Sequence, residues 1–119
     1  WLEKRKEVAR VLHPALPTDP GHELWKRDFT GACGLFGVVL AAGTAKKGVD
    51  AMLDGMELFG MGFSWGGFES LMVPVFPDHL RSAVKWGAGP TLRIHAGLED
   101  LDDLTADLER GFARLAAAR

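Results

Sequence analysis

Residues 91–119 read TLRIHAGLEDLDDLTADLERGFARLAAAR, and two periods meet in them. From Thr91 to Ala96 the apolar residues alternate. Leu92, Ile94 and Ala96 fall on one side, and Thr91, Arg93 and His95 on the other. This is the period of a strand with one face turned to a core. From Asp100 onward, Leu101, Leu104, Leu108, Phe112 and Leu115 recur at the spacing of an amphipathic helix. Asp100 is placed to cap that helix, and Asp102 and Asp103 occupy its first turn. Arg110, Arg114 and Arg119 lie toward its other end, in the sense the helix dipole favours. A strand running into a long one-faced helix calls for a sheet with helices laid against it.

Working outward, the remaining elements follow. Trp1 to Glu7 is charged and helix-prone and predicts the last turns of a helix. The chain opens on Trp1 with neither an initiator Met nor an apolar leader, so it reads as a piece of a longer protein. Val8 to Leu12 predicts a short strand stopped at His13-Pro14, and PALPTDPG (14–21) a loop. His22 to Phe29 predicts a short helix with Leu24 and Trp25 as its apolar contacts. LFGVVL (35–40) is a strand-length apolar run. Ala45 to Met56 predicts a helix whose Val49, Met52, Leu53 and Met56 share a face. Leu58 to Ser64 reads as a strand ended by Gly66-Gly67, Ser70 to Val75 as extended or irregular chain, and Pro77 to Lys85 as a helix with Pro at its first turn. Helices and strands thus interleave along the chain. The economical layout is an α+β fold, one small sheet with its helices mainly on one face.

Composition sets limits on partners. The 119 residues suffice for one domain, residues 1–119, and seven Phe and four Trp can anchor its core. The net charge of −2 gives no support for a nucleic-acid face. No apolar run approaches the roughly 18 residues of a membrane-spanning helix. Cys33 is the only cysteine, which excludes an internal disulfide and a cysteine-based zinc site. It is expected in the core, and a buried free thiol suits a reducing cytoplasm.

Four features could carry chemistry. Arg93 lies mid-strand between Leu92 and Ile94, where a cation is costly without an anion, and its planar fork fits a carboxylate. The plainer alternative is an exposed arginine paired with a surface Glu. FSWGGFES (63–70) sets a hydroxyl and an indole before two glycines, as a ligand-approaching loop or simply a tight turn would. His13, His22, His79 and His95 lack metal-ligand spacing; His95, on the same face as Arg93, is a candidate to line a site there, with a structural role as the plainer alternative. Cys33 is the fourth, with the small-core-residue reading already given. The carboxylates Glu99, Asp100, Asp102 and Asp103 are accounted for by a helix start. No nucleophile elbow, phosphate loop or zinc-protease motif is present.

Three long stretches in this order carry a resemblance: HPALPTDPGHELWKRDFTGACGLFGVVL, MELFGMGFSWGGFESLMVP and LRIHAGLEDLDDLTADLERGFARL. From about Trp1 to Leu115 the chain resembles the C-terminal domain of the Cys/Met-metabolism family of pyridoxal-phosphate enzymes, in the aspartate-aminotransferase fold type. Val75 to Ala88 carries least of it. The resemblance implies a mainly antiparallel sheet. It also implies that Arg93 grips the substrate α-carboxylate and that Ser64 and Trp65 line the same pocket. Trp65 after Ser64, where the γ-synthases and γ-lyases have Leu, points to the cystathionine β-lyase branch. That branch cleaves cystathionine to homocysteine, pyruvate and ammonia in methionine biosynthesis.

The Schiff-base lysine and phosphate-binding residues of the family belong to a larger preceding domain. The resemblance therefore implies pyridoxal 5'-phosphate in the full-length enzyme, none bound by this chain, and no catalytic residue within it. Lys26, Lys46 and Lys47 have no suitable context. The implied partners are an amino-acid substrate, the chain's own large domain and further copies of the full-length protein. A carboxylate-binding module without catalysis and a γ-lyase or γ-synthase are the alternatives.

Overall fold

Four strands form one antiparallel sheet in a computed structural model that describes residues 1–118. The strands are β1 (Val8–Leu12), β2 (Leu35–Leu40), β3 (Leu71–Val75) and β4 (Thr91–His95). Their order is β1-β2-β4-β3, so the last strand in sequence lies between the second and third. The helices are α1 (His22–Asp28), α2 (Lys46–Asp54), α3 (Pro77–Leu80) and α4 (Leu101–Ala117), and a 3-10 turn covers Leu2–Lys4. β2, α2 and β3 form a crossover into whose gap β4 inserts, a split βαβ arrangement. Arg119 lies outside the described residues.

The alternation in β4 decides the layers. Leu92 and Ile94 are fully buried beside Val38 and Leu40 of β2 and Met72 of β3. Val49, Met52 and Leu53 of α2 and Leu104, Leu108, Phe112 and Leu115 of α4 close over them. Each such side chain contributes about 1.5–3 kcal/mol by leaving water. α2 and α4 pack closely because Gly111 has no side chain. A Cβ there would stand 2.8 Å from Met56 Sδ. α4 starts where expected: the Asp100 carboxylate accepts from the backbone N–H of Asp102 at 2.9 Å and of Asp103 at 3.4 Å. No helix among the described residues is long and apolar enough to cross a membrane.

The α+β layout expected from the sequence is thus present, and several boundaries move. The expected strand at Leu58 to Ser64 is a loop, with one isolated bridge between Gly60 and Leu71. Its later carbonyls turn away from any strand and toward Arg93. Ser70 to Val75, read as extended or irregular, supplies the strand β3, and Pro74 is tolerated because β3 is an edge strand. The helix expected over Pro77 to Lys85 stops at Leu80, where Arg81 becomes extended. Asp78 then draws the chain back by accepting the Trp86 N–H at 2.7 Å. Trp1 to Glu7 contains a 3-10 turn instead of longer helix. α1 buries none of its residues, and Leu24 is exposed. Leu101, 75% exposed, stands outside the core stripe, which begins at Leu104. Cys33 is exposed in the loop before β2 and is no core residue.

Candidate functional site

The face of β4 opposite the helices carries Arg93 and His95. Arg93 is flanked by Gly37 of β2 and Val73 of β3, and His95 by Leu35 and Leu71. Both side chains reach the loop that joins Gly62 to Ser70. Arg93 Nη2 donates to the carbonyl of Phe63 at 2.6 Å, with the carbonyls of Gly62 and Ser64 at 3.4 and 3.5 Å. Its guanidinium carbon lies 5.7 Å from the centroid of the Phe63 ring, within cation–π range. Nε and Nη1 have no hydrogen-bond partner among the described residues, and neither is sealed from solvent. No carboxylate pairs with Arg93 among the described residues. A positive fork with open donors and no anion is the arrangement a ligand carboxylate can complete.

Ser64 and Trp65 sit at the exposed tip of this loop. Ser64 meets Arg93 through its carbonyl oxygen, not its hydroxyl. Trp65 is 61% exposed, and Met61, Phe63 and Phe68 around it are exposed as well. An apolar-walled cavity of about 470 Å³ adjoins the loop, lined among others by Met61, Phe63, Val73, Phe76 and Leu80. The structure therefore brings Arg93 to the backbone of Ser64 and sets Trp65 just beyond it.

Three anchors hold the loop, of which sequence reasoning singled out only His95, as a candidate to line the site. His95 binds the backbone of Gly66 and Gly67. Buried Ser70 donates its hydroxyl to Glu99 at 2.7 Å and its N–H at 2.8 Å, while its oxygen accepts the Gly97 N–H at 2.8 Å. Glu99 accordingly serves the loop and not the start of α4, which corrects the reading of that acidic cluster. Burial opposes its charge, but the Ser70 N–H, the Ser70 hydroxyl and its own N–H outweigh that and hold its pKa below the ordinary value. Asp107, fully buried, accepts from the N–H of Glu57 and of Leu58 and from Arg110, pinning the entry to the loop onto α4. Its signal was legible: an Asp falling between Leu104 and Leu108 inside an apolar stripe needs buried partners.

The chain's residues do not fit pyridoxal phosphate itself. Lys4, Lys6, Lys26, Lys46, Lys47 and Lys85 are all exposed, so none has the desolvated setting that favours a Schiff-base amine. The one buried polar side-chain atom without a partner among the described residues is Arg114 Nε, on α4 and not on the Arg93 face. No cluster of metal-ligating side chains occurs among the described residues.

The sequence pattern described as Cys/Met metabolism PLP-dependent enzyme matches residues 1–113. The chain is 49% identical to the cystathionine β-lyase of Escherichia coli K12, over 97% of this chain and 30% of that protein. It is 47% identical to the cystathionine β-lyase of Salmonella typhimurium, over the same shares. A crystal structure of cystathionine γ-synthase from Xanthomonas oryzae in complex with cystathionine superposes with a TM-score of 0.80 at 30% identity, covering 99% of this chain and 32% of that one. The chain thus spans about 30% of the length of the curated relatives it matches.

Proposed function

The chain belongs to the Cys/Met metabolism family of PLP-dependent enzymes, and from that premise we propose that residues 1–119 are the C-terminal domain of a cystathionine β-lyase, supplying the substrate α-carboxylate site. The observation that carries the reading is Arg93, held by backbone carbonyls through Nη2 while Nε and Nη1 face solvent without an anion. A carboxylate docked there takes up the open donors, and charge-assisted bonds of this kind are the strong ones. Clamping that group fixes the rotation of the amino acid about its Cα, a positioning contribution. The Phe63 ring forms an apolar wall beside it, 5.7 Å from the guanidinium carbon to the ring centroid.

The cofactor, its lysine and its phosphate cradle belong, on this proposal, to the larger remainder of the protein. The family's cofactor supplies the electron sink, and this chain does not hold it. The exposed apolar residues Met61, Phe63, Trp65, Phe68, Phe76 and Leu80 are the surface we assign to contact with that remainder.

Two facts support the β-lyase branch: identities of 49% and 47% to β-lyases across the chain, and Trp65 after Ser64. A γ-synthase or γ-lyase activity is the second reading, favoured by the superposition on cystathionine γ-synthase. Product analysis separates them. The full-length protein given cystathionine should release pyruvate, homocysteine and ammonia. Release of 2-oxobutyrate and cysteine would overturn the β-lyase assignment in favour of γ-elimination.

A further inference from the structure

We propose that His95 is a positioning residue for the substrate-site turn, and that it works as the neutral tautomer protonated on Nε2; the proposal rests on the carboxylate-site reading of Arg93. The imidazole is only 6% exposed, and both of its nitrogens are spent on one turn of the loop. The Gly66 N–H donates to Nδ1 at 3.4 Å, so Nδ1 carries no proton. The proton is then on Nε2, which donates to the Gly67 carbonyl at 3.1 Å. A donor and an acceptor at opposite ends of one flat ring match a backbone that offers the complementary pair on successive residues. Gly66 has φ +78°, a conformation that a side chain would strain.

The consequence lies in what the two β4 side chains bracket. Arg93 holds residues 62–64, and His95 holds residues 66 and 67. Trp65 stands between them with its ring in solvent. The bond to the Phe63 carbonyl also orients the guanidinium. A turn that drifts off His95 therefore takes with it the anchor that aims Arg93's open donors. A histidine that only filled space between Leu35 and Leu71 would have neither nitrogen matched to this turn.

The test uses the full-length protein and the variants His95→Phe, His95→Gln and His95→Asn. Phe keeps a ring of similar volume and offers neither nitrogen. Gln can return a donor toward Gly67, and Asn an acceptor toward Gly66. Amide hydrogen exchange at residues 62–68 reports the looseness of the turn, and kinetics with cystathionine report the site. The expected result for His95→Phe is exchange faster by about tenfold or more and a KM raised roughly tenfold, with kcat within about twofold, as loss of two modest hydrogen bonds implies. His95→Gln or His95→Asn should recover part of both. Because Gln and Asn keep polar anchors, either serves if the Phe variant does not fold. Unchanged exchange and KM in all folded variants, with only a lower Tm, would overturn the proposal. Faster exchange with an unmoved KM would uphold the anchoring and refute instead the placing of the carboxylate at this turn.

Discussion

The hydroxyl of Ser70 donates to Oε2 of Glu99 at 2.7 Å, and the Ser70 backbone N–H donates to Oε1 at 2.8 Å. One carboxylate thereby ties the end of the loop over Arg93 to the turn that leaves β4. Ser70→Ala removes a donor from Glu99 and an acceptor from the Gly97 N–H, both half-buried. Stranding such groups costs about 1–3 kcal/mol. Urea unfolding should show that loss as a lower midpoint at unchanged slope.

The same pair makes stability depend on pH. The pKa of Glu99 is depressed in the folded chain relative to its ordinary value of 4.5. The folded state therefore holds its proton less readily than the unfolded state. The stability that Glu99 contributes is present above pH 4.5 and is lost as the pH falls through the depressed folded value. Urea midpoints measured from about pH 7 down to about pH 3 should fall more steeply for the native sequence than for Glu99→Gln.

Asp107 is the second lock. Its buried carboxylate accepts from two successive backbone N–H groups and from Arg110. Asp107→Ala orphans those donors and should cost about 3 kcal/mol. Asp107→Asn keeps one acceptor oxygen and should recover part of it. Equal midpoints for the Ala variant and the native chain would show that the lock is dispensable.

How far these features were legible depends on how local their causes are. Leu92 and Ile94, or Leu104 and Leu108, declare their burial by period alone, and the helix cap at Asp100 is read from its neighbours in sequence. Arg93 announced a cation needing a partner, because charge in mid-strand is conspicuous. The partners actually found, the carbonyls of residues 62–64, carry no side-chain signature and could not be read. Leu58 to Ser64 has strand composition, yet its glycines let the backbone leave the sheet and face Arg93. Glu99 was assigned to α4 by proximity, whereas its true partner lies 29 residues away. Contacts that depend on two distant segments meeting are invisible to any window of sequence.

Exposed apolar side chains give a further outcome. Met61, Phe63, Trp65, Phe68, Phe76, Leu80 and Val84 all stand in solvent, on loops and on the short helix α3. Patches larger than a few hundred Å² favour association. Sedimentation of the 119-residue chain at rising concentration should reveal reversible oligomers, and Leu80→Glu with Phe68→Glu should weaken them. A strictly monomeric native chain at high concentration would count against a bare docking face.

On the proposed function Arg93 holds the substrate carboxylate, and Arg93→Leu in the full-length protein removes that hold. Leu keeps much of the aliphatic packing between Gly37 and Val73 and removes the fork. Hydrogen bonds to charged groups contribute about 1.5–3 kcal/mol each, so kcat/KM for cystathionine should fall by on the order of 10²–10⁴. The cofactor's absorbance should be unchanged. Arg93→Lys should restore only part of the loss, since an ammonium cannot reproduce a planar fork. A near-normal kcat/KM in Arg93→Leu, with a lower thermal midpoint as its sole effect, would contradict the account and leave Arg93 as a loop anchor alone.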